Sequence, residues 1–226
     1  MIYVLIAIVI IFFLTKPFKK DSGMERVENL SRGKTDEQIT ALKYFLLRGD
    51  GGWLNKAKLV SDQEFDDLVE KALNVNNSRQ KALDKIGIDE SEVNEVEPVN
   101  FWGNKYDDGF FKKGNDGKYR ASKIQITRIF FSSTQIYIYQ DNFNLTESVT
   151  SIRTEEYFYK DITNFSTLTE TVTIKILGNN ETFESHQFAI VVPGNKFMCA
   201  LPPWGDSYEK VIQGMKAKLR EKKQTT

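Results

Sequence analysis

The sequence predicts an α+β protein: an N-terminal membrane helix, a small helical segment, then a seven-stranded antiparallel barrel or sandwich closed by a C-terminal helix. Three observations carry that reading. The first fourteen residues, MIYVLIAIVIIFFL, contain no charge. Apolar residues recur at spacings of three and four up to about residue 97, then at spacings of two, with β-branched and aromatic residues dominating. The last stretch returns to helical spacing. With 226 residues, 40% apolar and 27% charged, the chain has the balance of a folded protein.

The apolar stretch at residues 2–14 is followed by Thr15, Lys16, Pro17, Phe18, Lys19 and Lys20, the pattern of a membrane segment with a basic stop. At 1.5 Å of rise per residue it covers about 21 Å, short of the roughly 30 Å hydrocarbon core, so its flanking lysines must snorkel. A cleaved signal peptide and a buried core helix are the alternatives. A signal peptide usually carries its basic residues before the apolar run and a small-residue cleavage site after it, and neither is present. Because Lys and Arg are retained on the cytoplasmic side, Lys16, Lys19 and Lys20 predict a single-pass cell-membrane protein whose soluble part is cytoplasmic. An extracytoplasmic domain inserted the other way round is the competing topology. A single cysteine, Cys199, requires no oxidising compartment.

Residues 1–18 thus read as an anchor and 19–34, mixed in charge with Gly and Ser, as a tether. Residues 35–97 form a helical region. Thr35 and Gln38 have the capping-box spacing before Ile39, Leu42, Phe45 and Leu46, and Gly49, Gly51 and Gly52 end that helix. Ser61 and Glu64 repeat the signal before Phe65, Leu68, Val69, Ala72 and Leu73. A third helix from about Ser78 carries Ala82, Leu83 and Ile86 and stops at Gly87. Asp89 and Glu92 cap a further turn before Val93. Helices this short bury no core alone, so they must pack on each other or on the next unit.

Residues 98–226 form the β unit, with a boundary at 97–103. Asn115-Asp116-Gly117 is a hairpin signal. The predicted strands are 123–131, 135–140, 144–151, 155–162, 170–177, 182–192 and 196–201, an order that implies a sandwich or barrel. The chain closes with a helix capped by Asp206 or Ser207, whose Tyr208, Val211, Ile212, Met215 and Leu219 share one face. Its basic end complements the helix dipole, which leaves those charges without a required function.

The segments Gln135-Ile136-Tyr137-Ile138-Tyr139, Glu155-Glu156-Tyr157-Phe158-Tyr159-Lys160-Asp161-Ile162 and Thr171-Val172-Thr173-Ile174-Lys175-Ile176, with the terminal helix, resemble the bacterial pleckstrin-homology-like domains. The resemblance covers residues 120–222, somewhat under half of the chain. It implies a PH-like β unit that binds or scaffolds, often at a membrane, without catalysis. The first hairpin turn, Phe131-Ser132-Ser133-Thr134, lacks the Lys and Arg of phosphoinositide-binding members, so inositol-phosphate binding is not implied.

Chemistry is sparse. The sole histidine, His186, and Cys199 lie in predicted strands that flank the Pro193-Gly194-Asn195 turn; if those strands pair antiparallel they are neighbours, the sharpest catalytic combination the sequence offers. A Cys/His-dependent enzyme is the alternative function they support. Free cysteine is usually a buried, inert core residue, and that reading is preferred here. Two Cys and His residues in total make no zinc site, and no glycine loop for phosphate or dinucleotide is present, so no cofactor is expected. Residues 21–98 carry 11 basic against 17 acidic side chains and residues 99–226 carry 17 against 14, which argues against nucleic acid as a partner. Tyr137 with Tyr139, and Tyr157 with Tyr159, each share one strand face. They form either an aromatic ladder packed beneath a helix or loop, or a recognition surface. The resulting expectation is a membrane-tethered, non-catalytic binding or scaffold module, held to the membrane by residues 2–14 and engaging a protein partner or the membrane surface.

Overall fold

β4 (Lys123–Phe131) is buried at every position after Lys123. An antiparallel strand reaches that state only when both faces of its sheet are covered. β4 pairs with β1 (Val99–Lys105) on one side and β5 (Gln135–Asn144) on the other, and β5 pairs with β6 (Thr150–Phe158), giving the order β1-β4-β5-β6. Strand alternation sends Ile124, Ile126 and Phe130 to one face of β4, and Ile129 and Phe131 to the other. The computed structural model describes residues 22–47, 59–76, 78–93, 97–176, 178–202 and 207–225.

Three short helices, α2 (Asp36–Leu46), α3 (Asp62–Asn76) and α4 (Arg79–Ile86), cover the first face, and α1 (Ser22–Leu30) packs on α2 through Val27 against Leu42 and Leu46. Their starts follow the local signals. The Gln38 N–H donates to Thr35 Oγ1 at 3.3 Å while Gln38 Oε1 accepts the Thr35 N–H at 3.1 Å. Ser61 and Glu64 make the same reciprocal pair at 2.8 and 3.1 Å. Gly87 ends α4 in the left-handed region, at φ 85°, where a side chain would be strained. Tyr44 and Phe45 of α2 and Phe65 and Val69 of α3 pack on Ile124, Ile126 and Phe143. Ala82 and Leu83 of α4 pack on Phe130, Tyr137 and Tyr139. Each fully buried side chain of that size is worth about 1.5–3 kcal/mol, so helices too short to persist alone are held by the sheet.

The second face meets a three-stranded sheet, β7 (Asn164–Ile176), β8 (Asn179–Val192) and β9 (Asn195–Ala200), in that order. Phe188, Ile190 and Phe197 interleave with Phe101, Ile129, Phe131, Ile136 and Ile138, and α5 (Ser207–Thr225) adds Ile212, Met215 and Leu219 to the same core. A small hairpin, β2 (Phe111–Lys113) and β3 (Tyr119–Ala121), turns through Gly117 at φ 78°. It docks on the far end of the β7–β8 pair, where Tyr119 stacks on Phe183 with ring centroids 4.3 Å apart.

Several expectations are corrected here. The β part is not a closed seven-stranded barrel: the described residues form nine strands in open sheets of four, two and three. The edges of β1 and β9 do approach, and a Cβ on Gly103 would lie 2.5 Å from Leu201 O. Side chains from the four-stranded sheet nevertheless intercept the hydrogen bonds that would close the seam. The Ala200 N–H donates to Gln125 Oε1 at 2.7 Å, and Gln140 Nε2 donates to Met198 O at 3.1 Å. The predicted strand at 144–151 is instead mostly the β5–β6 turn, because Asn144 Oδ1 accepts from the Thr146 N–H and hydroxyl at 3.0 and 2.9 Å. The strand expected at 155–162 ends at Phe158 in a 3₁₀ turn, Tyr159–Asp161. The N-terminal membrane helix, and with it the single-pass cell-membrane placement and the cytoplasmic assignment of the soluble part, finds no support: among the described residues no helix is long and apolar enough to cross a membrane. The described helices alternate buried apolar and exposed polar positions rather than being apolar all round. The stretch at 2–14 and Lys16, Lys19 and Lys20 lie outside the described residues.

Candidate functional site

The four tyrosines singled out by strand spacing do not form one exposed surface. Tyr137 and Tyr139 point from β5 into the helical layer, beneath α4, whereas Tyr157 and Tyr159 enter the core between the two larger sheets. All four are buried. Burial pushes each hydroxyl up, that of Tyr157 to about 12. The two pairs lie on opposite faces of the sheet and so form no shared aromatic ladder, and their partners are inside the protein: Tyr159 Oη donates to Ser132 O at 2.9 Å, and Asn195 Nδ2 donates to Tyr157 Oη at 3.0 Å.

Cys199 and His186 have different partners. Cys199 sits opposite Phe188 and faces the core, 1% exposed, where burial pushes the thiol up to about 12. His186 turns toward β7, on the far side of β8 from β9, with Nδ1 3.1 Å from Thr169 Oγ1. A thiol in that state supplies almost no thiolate near neutral pH, so the pair lacks the activation that nucleophilic catalysis needs.

Two polar clusters escaped the sequence reading. Arg120, 1% exposed at the end of the β2–β3 hairpin, donates from Nε and Nη2 to the two oxygens of Asp66 at 2.7 Å each, and from Nη1 and Nη2 to those of Asp116 at 2.9 Å. Asp62 extends the network, accepting Tyr44 Oη at 2.8 Å and the Asn115 N–H at 2.7 Å. Lys112 lies 4.1 Å above the Tyr44 ring. The cluster ties α2 and α3 to the hairpin through fully engaged groups, an arrangement that fixes structure rather than awaiting a ligand. In the second cluster, Asp141 is fully buried under α4; its Oδ2 accepts Lys81 Nζ at 2.8 Å and Tyr139 Oη at 3.1 Å, while Oδ1 has no partner among the described residues. Each cluster is completed by a partner from the helical region, 54 positions from Arg120 and 60 from Asp141, which local spacing does not reveal.

A concavity opens where β1 leaves β9 beyond Gly103. It holds about 340 Å³. One wall is Asn104, Lys105, Tyr106 and Asp107; the opposite wall includes Val172, Ser185 and Gln187. Gln125 and Met198 also line it. Lys105 Nζ lies 3.1 Å from Asp107 Oδ2 at the rim. Burial raises the Asp107 carboxyl, but Lys105 beside it outweighs that and holds it below the usual range. A second depression of about 220 Å³ adjoins on the other side of this ion pair, lined by Lys123, Asn142, Asn144 and Ser151 among others. Donors, acceptors and one charge pair thus line the cleft with Val172 and Met198, alongside a β1 edge that no strand pairs among the described residues. Among the described residues no group of three or more His, Cys, Asp or Glu is placed to hold a metal ion. Comparison with family models, with curated proteins and with solved structures finds no match to this chain.

Proposed function

We propose that the chain is a non-catalytic binding module that takes an extended segment of a protein partner into the cleft between β1 and the β8–β9 sheet. The observation that carries this reading is the open seam: a strand edge unpaired among the described residues, beside a cleft walled by Asn104, Lys105, Asp107, Ser185 and Gln187. Main-chain edges give affinity to an added strand, while pockets and polar side chains set its sequence. The Cys199 thiol, pushed up by burial, and His186, within hydrogen-bond distance of Thr169, favour binding over turnover. The resemblance of residues 120–222 to pleckstrin-homology-like domains points the same way, since such domains bind or scaffold.

The test is co-purification from extracts of the protein's own cells with the full chain and with a double variant, Lys105→Glu and Asp107→Lys. This exchange keeps the net charge and the local ion pair but inverts the field at the rim. The proposal expects a partner that is retained by the native chain and lost, by about tenfold or more, with the double variant. A partner held equally by both, or no partner in either, overturns it.

A further inference from the structure

We propose that β6 is a self-association edge through which two copies of this chain pair antiparallel, centred on Thr154, to make one continuous eight-stranded sheet. This goes beyond the cleft reading and is independent of it, because β6 and β1 are opposite edges of the four-stranded sheet. Only β5 pairs with β6 among the described strands. The direction of its unpaired groups follows from its ends. Val149 O accepts the Asn144 N–H at 3.3 Å and the Tyr159 N–H donates to Thr134 O at 3.0 Å, so odd-numbered residues aim their main-chain groups at β5. Antiparallel alternation then turns the N–H and C=O of Thr150, Ile152, Thr154, Glu156 and Phe158 outward.

The side chains select one register. With Thr154 opposite Thr154, the nine residues of β6 overlap completely, and each outward residue meets another outward residue: Ile152 meets Glu156 and Thr150 meets Phe158. Arg153 then faces Glu155 of the second copy, and the two-fold axis repeats the pair. Centring on residue 153 sets Arg against Arg, and centring on 155 or 156 sets Glu against Glu, which disfavours each. Within one chain Arg153 already reaches Glu155 at 2.6 Å, so both groups point to the same face and are positioned for the second pair. Two apolar side chains left exposed on this strand, Ile152 and Phe158, become diagonal neighbours across the new pairing. Charges on an edge strand usually blunt it against addition; here their order matches its own reverse.

The experiment is sedimentation of the full chain at concentrations up to about 100 µM, because interfaces of modest area often hold only at micromolar affinity. The native chain should shift from monomer to dimer over that range. Arg153→Glu alone places like charges together twice and should weaken self-association roughly tenfold, while Arg153→Glu with Glu155→Arg restores the match and should return it to within about threefold of native. Thr154→Pro removes an N–H that faces away from β5 and should abolish the dimer with the near-ultraviolet circular dichroism unchanged. A native chain that stays monomeric throughout, or a dimer indifferent to Thr154→Pro and to the charge exchange, overturns the proposal.

Discussion

Arg120 meets Asp66 fork to fork, its Nε and Nη2 donating to the two carboxylate oxygens at 2.7 Å each, and this contact fixes α3 to the β2–β3 hairpin. Gly114 makes room for it, since a Cβ there would run into Arg120 Nη1 and Asp62. Arg120→Met leaves Asp66 and Asp116 facing each other without a counter-charge. Both carboxylates keep about a third of their surface in water. The loss should therefore be near the lower end for a broken buried pair, about 3 kcal/mol, read from the midpoint of urea unfolding.

The same cluster sets an acid sensitivity. The Arg120 guanidinium beside Asp116 holds its carboxyl well below the usual range. A depressed folded-state pKa contributes stability that is fully present above the unfolded value and is lost as pH falls through it toward the folded one. Unfolding midpoints should thus decline from about pH 5 downward, and Asp116→Asn should be less stable at neutral pH but show a shallower decline. Equal slopes for the two proteins would remove Asp116 from the explanation.

Lys81 and Asp141 form a pair of unequal exposure, with the carboxylate wholly buried and the ammonium side chain about a third in solvent. Lys81→Met strands the Asp141 charge and should cost about 2–3 kcal/mol, reduced from the fully buried case by water at Lys81. Adding Asp141→Asn removes the stranded charge, so the double variant should be more stable than Lys81→Met alone. A double-mutant cycle in urea measures the sign.

Cys199 gives a prediction about reactivity. With its thiol pushed up to about 12 and its side chain in the main core, it should resist alkylation in the native state at pH 8 and react at once in denaturant. Rapid native labelling would reopen the Cys199 and His186 alternative.

What the sequence disclosed was local. Thr35 with Gln38, Ser61 with Glu64 and Gly87 behave as their types and spacing imply, because a cap is satisfied within a few residues. β4 runs over the same residues as its predicted strand, since its apolar run has no turn residue inside it. The Asn115-Asp116-Gly117 signal marks the turn of the β2–β3 hairpin, but β1 was not legible: Val99–Lys105 carries Asn100, Gly103 and Asn104, weak strand formers that pairing with β4 stabilises from outside. The open seam was equally hidden. Whether two edges close depends on where Gln125 and Gln140 reach, and both lie far along the chain from β9. Alternation within Tyr137–Tyr139 and Tyr157–Tyr159 correctly grouped each pair on one side, but which layer covers which side is a tertiary fact.

The most direct test of the cleft is to place a photo-cross-linking amino acid at Ser185, on its wall, and in a separate protein at Lys85, exposed on the outer side of the helical layer. In extracts of the protein's own cells, the account predicts a discrete protein adduct from Ser185, absent from Lys85 and suppressed by Lys105→Glu with Asp107→Lys. Equal adducts from the two positions, or none from Ser185, would contradict it.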